Sequence, residues 1–163
     1  MKTTTIFATR TTLNECSKGL EFVSNGDGTC SVSGIGTCTD TDIEIPSVYN
    51  GDVVKRIDRR AFENCSSLKS ITIPDSVTSI GDNAFSDCIS LKSITIPDGV
   101  TSIDHGVFWG CNSLKSVTIP DSVTSIGEYA FADCSSLKSI AIPKNTKIIG
   151  FQAFRGIPTI VEK

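Results

Sequence analysis

With 163 residues, the chain has room for one domain and is too short for a second independent core. Its net charge of −3 and its pI of about 5.1 provide no positive field to attract nucleic acid, and no run of about 18 apolar residues could span a membrane. Plentiful Gly, Ser, Thr and Ile, with a single Met, favour short strands and turns over long helices.

The first 18 residues are poorly patterned. They read MKTTTIFATRTTLNECSK and lack the apolar stretch of about 7–15 residues that a secretory signal requires. The sequence as given therefore has no export signal. Two explanations stay open: the protein is cytoplasmic, or the sequence is a fragment of a longer exported chain that acts at the cell surface or outside the cell.

Residues 19–60 are predicted to form a cap and a degenerate first coil. The stretch LEFVSNGDGTCSVSG indicates two short strands around an Asn-Gly-Asp-Gly turn, which is a β-hairpin signal. Next, Ile43-x-Ile45-Pro46 and Val54-x-x-Ile57 match the repeat that follows, although ten residues separate Pro46 from Ile57 where the repeats have five. We therefore predict an insertion near SVYNG and a hairpin that covers the open end of the stack.

Four 23-residue units occupy residues 61–152. They read AFENCSSLKSITIPDSVTSIGDN, AFSDCISLKSITIPDGVTSIDHG, VFWGCNSLKSVTIPDSVTSIGEY and AFADCSSLKSIAIPKNTKIIGFQ. Equivalent positions form columns: Phe62, Phe85, Phe108, Phe131 and Phe154; Leu68, Leu91, Leu114 and Leu137; Ile80, Ile103, Ile126 and Ile149. Such a period predicts a solenoid in which each unit is one coil and stability comes from stacking on neighbours.

Each unit has three predicted segments. Alternating apolar residues in Leu68-x-x-Ile71-x-Ile73 predict a strand that ends before Pro74, and Val77-x-x-Ile80 predicts a second inward-facing segment. The spacing Ala84-Phe85-x-x-Cys88-x-x-Leu91 predicts one helical or 3₁₀ turn. The predicted fold is an α/β repeat solenoid, a right-handed coil with a parallel sheet, short helical turns and an N-terminal β-hairpin cap.

One column and the last unit give further expectations. The column Gly81, Asp104, Gly127 and Gly150 predicts a turn near positive φ, which Gly adopts freely and Asp tolerates. Residues 153–163 are a truncated fifth repeat that caps the C-terminal end. There Ile157 falls in the Cys column and Ile160 in the Leu column, and the charged tail closes the core.

The tandem pattern AFxxCxxLKSITIPDSVTSIG resembles the BspA-type leucine-rich repeats of bacterial and some protist surface proteins, over about residues 19–160. The resemblance implies a leucine-rich-repeat coil. It also implies an adhesin or interaction module at a cell surface, which binds host matrix proteins or other cells and has no catalytic residues of its own.

The cysteines do not suggest a metal site. Four of them occur once per coil, whereas zinc ligands come in close pairs; they are Cys65, Cys88, Cys111 and Cys134. We interpret this column as small buried side chains. Cys30 and Cys38 lie eight residues apart in the cap, and either a disulfide or two thiols fits this spacing.

Catalysis has little support. The single histidine, His105, lies in a turn between coils, so a nucleophile–base set would have to use it or do without. No glycine-rich phosphate loop is present. We expect no catalytic residues, cofactor or metal.

Charged columns flank the strands. The lysine file comprises Lys69, Lys92, Lys115 and Lys138. The aspartate file comprises Asp75, Asp98 and Asp121, followed by Lys144. By strand rise the two files lie about 20 Å apart. Both fit solvated edges that resist aggregation, and the lysine file also fits an extended anionic partner such as an acidic polysaccharide.

Aromatic residues interrupt the repeats on another side. Trp109 stands where other coils have Ser86, Ala132 and Arg155. Tyr129 lies two residues before Phe131, and His105 lies three before Phe108. If these positions share a helical flank, Trp109, Tyr129 and His105 form one patch; otherwise they are isolated surface side chains.

Two functions follow as hypotheses. The first is an adhesin-like module that binds a protein, or an anionic polysaccharide, through the patch or the lysine file. The second is a structural spacer without a ligand of its own. The sequence indicates neither the ligand nor the oligomeric state.

Overall fold

The structure, a computed structural model, describes residues 18–163. It contains fourteen short strands: β1 (Glu21–Ser24), β2 (Thr29–Gly34), β3 (Asp42–Glu44), β4 (Val48–Tyr49), β5 (Asp52–Ile57), β6 (Ser70–Thr72), β7 (Ser79–Ile80), β8 (Ser93–Thr95), β9 (Ser102–Ile103), β10 (Ser116–Thr118), β11 (Ser125–Ile126), β12 (Ser139–Ile142), β13 (Ile148–Ile149) and β14 (Thr159–Glu162). The segment predicted for residues 1–18 lies outside the described residues, apart from Lys18. None of residues 18–163 belongs to a helix that could cross a membrane.

The front ladder contains the strand that precedes the recurrent proline in each coil. Parallel pairing joins β3 to β6, β8 to β10 and β12 to β14, while β6 lies beside β8 and β10 beside β12. Ile94 is paired with Val117, and Ile43 with Ile71. Equivalent residues are therefore stacked one coil apart, which confirms the predicted parallel arrangement with one strand per coil.

The back ladder contains β5, β7, β9, β11 and β13. Parallel pairing joins β5 to β7 and links β9, β11 and β13, but within residues 18–163 no pairing links β7 to β9. This gap falls where Asp104 replaces glycine. Because a Cβ at Gly127 would lie 2.7 Å from the carbonyl carbon of Asp104 on the preceding coil, glycine permits close pairing of coils at this column. We infer that the Asp104 side chain keeps its coil from pairing with the preceding one.

The predicted positive φ in this column is wrong. Gly81, Gly127, Gly150 and Asp104 are not among the residues with positive φ in the described part of the chain. Two other columns hold that conformation: Arg60, Asn83, Gly106, Tyr129 and Gln152, and also Asn64, Asp87, Gly110, Asp133 and Gly156. Glycine in the predicted column is required by close approach of the backbone.

The predicted helical or 3₁₀ turns are not confirmed, because no helix occurs in residues 18–163, and a side ladder of hydrogen bonds between coils lies at their position. On one coil the amides of Asn83, Phe85 and Asp87 donate to carbonyls of the next coil, at 2.9, 3.0 and 2.7 Å. The left-handed residues Asn83 and Asp87 flank Phe85 and interrupt any helical run. These alternate amides therefore stabilise the stack, while the intervening amides of Ala84 and Ser86 donate to carbonyls three residues earlier in isolated turns, at 3.2 and 3.1 Å. The described chain is a β-solenoid.

The core is a column of phenylalanines along the solenoid axis. Phe62, Phe85, Phe108 and Phe131 are fully buried, and successive rings are stacked at centroid distances of 5.3, 5.6 and 5.2 Å. Phe154 continues the column at 6.0 Å but is only partly buried. The aromatic column was predicted from the period alone.

The cysteine column has a polar role besides its packing. Cys88, Cys111 and Cys134 are fully buried, and each thiol donates to the carbonyl of a phenylalanine on the preceding coil at 3.1 Å. Burial raises the pKa of Cys134 to about 12 and also raises those of Cys88 and Cys111 well above the ordinary thiol value. Cys65, on the first complete repeat, is only half-buried.

We expect these three thiols to resist alkylation in the native protein. The thiolate is the nucleophile, and burial keeps the thiols protonated at pH values near 8. Mass spectrometry after iodoacetamide treatment should find Cys88, Cys111 and Cys134 unmodified in native protein and modified in denaturant. Rapid native labelling of all three would contradict the buried column.

The N-terminal cap is the predicted hairpin. Strands β1 and β2 pair antiparallel around residues 25–28, and β2 then pairs parallel with β5. The insertion near SVYNG forms β4, which pairs antiparallel with β5, and its Tyr49 ring is stacked on Phe22 at 4.0 Å. Cys30 and Cys38 are not joined to each other: the Cys30 thiol contacts the Asp52 carbonyl at 3.8 Å.

At the C-terminal end, one register prediction fails. Ile157 is buried in the cysteine column as predicted, but Ile160 is paired with Ile140 of the front ladder and not with the Leu137 position. The last coil is thus three residues shorter than the period, because β14 pairs along the whole of β12. The tail does not cover this end, since Ile160 is 47% exposed and Ile148 is 67% exposed.

Candidate binding surface

The front face is regular and has small side chains on the four repeats, whereas β3 of the first coil carries Asp42 and Glu44 there. Between the two charged files lie Ser70, Thr72, Ser93, Thr95, Ser116, Thr118, Ser139 and Ala141. Lys69, Lys92, Lys115 and Lys138 are all exposed, and the amides of Lys92 and Lys115 donate to the carbonyl of the preceding lysine at 3.1 and 2.9 Å. The predicted lysine file is therefore a stacked row. It is separate from the aromatic residues discussed next.

The predicted patch lies beside the side ladder and includes a residue that sequence reasoning missed. His105 and Tyr129 are in edge-to-face contact at 5.9 Å, and Tyr129 makes a second such contact with Phe151, also at 5.9 Å. Three consecutive coils thus contribute one ring each. Phe151 is 63% exposed, although it is among the largest apolar side chains of its coil.

Trp109 is connected to this row through two charged residues. Its indole N–H donates to the Asp133 carboxylate at 3.1 Å. The Arg155 guanidinium binds the same carboxylate through two nitrogens, with its Nε at 3.2 Å from Oδ1, and it lies over the Tyr129 ring at 5.6 Å from the centroid. The aromatic flank, defined here as His105, Trp109, Tyr129, Phe151, Asp133 and Arg155, is therefore a connected network.

The charges within the aromatic flank are mutually satisfied. The hydrogen bonds from Arg155 and then Trp109 lower the pKa of Asp133, and the bond to Asp133 raises the pKa of Arg155. Asp133 therefore remains a carboxylate at neutral pH and holds both partners in place. Because the groups are exposed, the contribution of this pair to stability is small, and its hydrogen bonds restrain the side chains of Trp109 and Arg155.

Tyr129 has an unusual backbone conformation. Its φ is 56°, in a left-handed region that bulky residues rarely adopt. Equivalent coils have Arg60, Asn83, Gly106 and Gln152 there, all with positive φ. The side ladder imposes the conformation, since the Tyr129 amide donates to the Phe151 carbonyl at 3.1 Å. The chain thus places an aromatic ring in a strained position, next to Arg155.

Sequence reasoning found three residues of the aromatic flank and missed three. His105 and Tyr129 are brought together as predicted, and Trp109 is connected to them through Asp133 and Arg155. Phe151 carried a signal, because it replaces Asp82, His105 and Glu128 in its column. Asp133 carried none because Asp87 stands in the same column, and Arg155 carried little because a single charge in a repeat resembles an ordinary solvated side chain.

The described residues offer no metal site: no three His, Cys, Asp or Glu side chains in residues 18–163 are grouped to hold an ion. His105 contacts an aromatic ring, and its backbone amide lies 3.2 Å from the Asp82 carboxylate. What the aromatic flank offers chemically is a polar and aromatic contact surface.

Comparison with known proteins identifies the repeat. A family model described as the BspA type leucine rich repeat region matches residues 37–161 in six copies. Among curated protein sequences, none matches.

Solved structures show the same architecture. The leucine-rich repeat protein TpLRR of T. pallidum is 30% identical, with a TM-score of 0.82 over 88% of this chain and 69% of that one. A leucine-rich repeat protein from Bacteroides ovatus is 33% identical, with a TM-score of 0.79 over 88% of this chain and 39% of that one. A leucine-rich cell surface protein from Faecalibacterium prausnitzii is 30% identical, with a TM-score of 0.53 over 89% of this chain and 53% of that one. With the stacked ladders and the 23-residue period, these matches show that the chain belongs to the BspA-type leucine-rich repeat family.

Proposed function

We propose that the chain is a non-enzymatic binding module of a cell-surface protein and that it contacts a protein partner through the aromatic flank. The observation that carries the proposal is the grouping of Trp109, Tyr129 and Arg155. These are the residue types that most often dominate protein interfaces, and Trp109 is the sole tryptophan of the chain. Trp109 is 43% exposed and is held by Asp133, so little conformational entropy is lost on binding.

The surface location rests on a relative. The similar protein from Faecalibacterium prausnitzii is described as a cell surface protein. A solenoid presents its flanks along several coils, which suits contact with an extended partner. An anionic polysaccharide on the lysine file is the competing site, and a spacer without a ligand is the competing function.

Replacing Trp109 tests the proposed surface. We expect Trp109→Ser, which restores the residue of position 86, to weaken binding by at least about 30-fold, the equivalent of a hot spot of about 2 kcal/mol. Stability should change by no more than about 0.5 kcal/mol, because the residue is on the surface. The measurement is binding of purified matrix proteins and acidic polysaccharides at two salt concentrations.

Two variants serve as controls. Val48→Ser removes an apolar side chain of similar exposure, 46%, from β4 near the N-terminal cap, and it should bind as wild type does. A Lys92→Ala/Lys115→Ala variant should also bind as wild type. Salt-sensitive loss confined to this lysine variant would move the site to the lysine file, and absence of wild-type binding to every candidate would favour the spacer.

A further inference from the structure

The two charged files face outward with opposite signs on the two rims of the front face. Lys69, Lys92 and Lys115 recur once per coil on one rim, and the exposed Asp75, Asp98 and Asp121 recur on the other. Within each file, like charges are about 4.8 Å apart along the solenoid axis, the spacing of paired strands. Such rows repel themselves and attract a row of the opposite sign.

Few of these charges form close ion pairs within the described chain, although Lys69 and Lys92 lie near enough to Asp42 to help lower its pKa. The ion pairs in residues 18–163 are Arg56–Asp58, Arg60–Glu63, Arg155–Asp133 and Lys163–Asp121. Of the two files, only Asp121 takes part. The Lys163 ammonium lies 3.1 Å from its carboxylate, at a shallow cleft of about 330 Å³ that Asp98 and Thr118 also line. The aspartate rim therefore already accepts one lysine side chain.

The front face is complementary to a second copy of itself. If two faces meet about a two-fold axis parallel to the solenoid axes, the lysine file of each copy lies opposite the aspartate file of the other, at both rims. A two-fold axis parallel to the strands would instead place the lysine file of one copy opposite the lysine file of the other. With the axis parallel to the solenoid axes, the threonines midway between the files meet the same threonines of the other copy. These are Thr72, Thr95 and Thr118, and their side chains are small enough for the two faces to approach closely.

We propose that two copies of this chain associate face to face through the front face, with Lys69, Lys92 and Lys115 of each copy opposite Asp75, Asp98 and Asp121 of the other. On the fourth coil Lys138 meets Lys144, and on the first coil Glu44, which is paired with Thr72, meets its own equivalent, so like charges oppose association at both ends of the interface. This surface is distinct from the aromatic flank, so the proposal does not depend on the proposed function.

The size of the face sets the strength of association. Four strands about 4.8 Å apart and about 20 Å between rims give about 400 Å² per copy. A standard interface buries about 800 Å² per partner. The dimer is therefore weak, depends on protein concentration, and is favoured by low salt because its contacts are exposed ion pairs.

Sedimentation velocity of the full chain over a concentration series tests this proposal. We expect a monomer–dimer equilibrium at about 0.01 M salt and a shift to monomer at about 1 M, where the Debye length falls from about 30 to about 3 Å. Lys69→Glu/Lys92→Glu and Asp75→Lys/Asp98→Lys should each be monomeric where wild type dimerises. An equimolar mixture of the two should regain the dimer, because their rims are again opposite in sign.

The controls separate this interface from the aromatic flank. Trp109→Ser should dimerise as wild type does. The proposal is overturned if wild type stays monomeric at low salt throughout the series, if either charge-reversed variant dimerises like wild type, if the mixture does not associate, or if Trp109→Ser abolishes the dimer. Circular dichroism of each variant verifies that it is folded, and the regained dimer provides a second check.

Discussion

Phe108→Ala is expected to lower the free energy of unfolding by about 3–5 kcal/mol, the usual cost of truncating a buried aromatic side chain. Phe108 is fully buried, and its ring is stacked between those of Phe85 and Phe131 at 5.6 and 5.2 Å. Truncation leaves a cavity within a column that cannot close without moving whole coils. Equilibrium unfolding in urea measures the loss.

The effect should spread to neighbouring coils, because each coil is stabilised by its neighbours. Hydrogen exchange should show reduced protection at the amides of Phe85 and Phe131 as well as on the substituted coil. Phe151→Ala is the matched control, since this phenylalanine is 63% exposed and its truncation should cost far less. Equal stability of Phe108→Ala and wild type would mean that the phenylalanine column is not the core.

Gly127→Ala is expected to destabilise by about 1–3 kcal/mol, the usual cost of forcing extra volume into a packed site. The added Cβ would lie 2.7 Å from the Asp104 carbonyl carbon and 2.8 Å from the His105 nitrogen. Both are backbone atoms of the preceding coil, so the coils must separate. Pairing of β9 with β11 should weaken, which hydrogen exchange at the Gly127 amide would report.

The reverse substitution is the control. Asp104→Gly should let β7 pair with β9 and raise protection of the amide at position 104, while stability changes little because glycine also increases the entropy of the unfolded chain. If Gly127→Ala instead matched wild type in stability and exchange, close approach would not explain the glycine column.

The periodic parts of the fold were predictable from the sequence. The strand before each proline, the phenylalanine column and the hairpin over residues 21–34 follow from alternation, period and turn chemistry, which are local signals. The insertion near SVYNG was located correctly, although its pairing with β5 was not foreseen. The handedness of the coil stays a prediction.

Contacts between coils account for what the sequence did not reveal. The spacing Ala84-Phe85-x-x-Cys88 is the same for a helical turn and for the side ladder, and only the direction of the amides distinguishes them. Glycine at positions 81, 127 and 150 fits a left-handed turn as well as a close approach. The position of Ile160 depended on assuming a full 23-residue last coil, which pairing of β14 with β12 shortens.

The aromatic flank was partly predictable for a related reason. A residue that departs from its column is visible in a repeat, which identified Trp109, Tyr129 and His105. Whether such residues meet depends on contacts between coils, and the Asp133–Arg155 pair that connects Trp109 to Tyr129 is not periodic. Asp133 matches Asp87 in its own column, and Arg155 resembles an ordinary solvated side chain although it departs from its column, so neither residue was selected.

Scalar couplings across hydrogen bonds in NMR test most directly the claim that alternate amides of the side ladder join successive coils. We expect couplings from the amide nitrogens of Phe85, Phe108 and Phe131 to the carbonyl carbons of Val107, Ala130 and Ala153, the acceptors one coil further on at 3.0, 2.8 and 2.8 Å. Couplings from these amides to carbonyls three or four residues earlier in the same coil would instead show helical turns and contradict the β-solenoid.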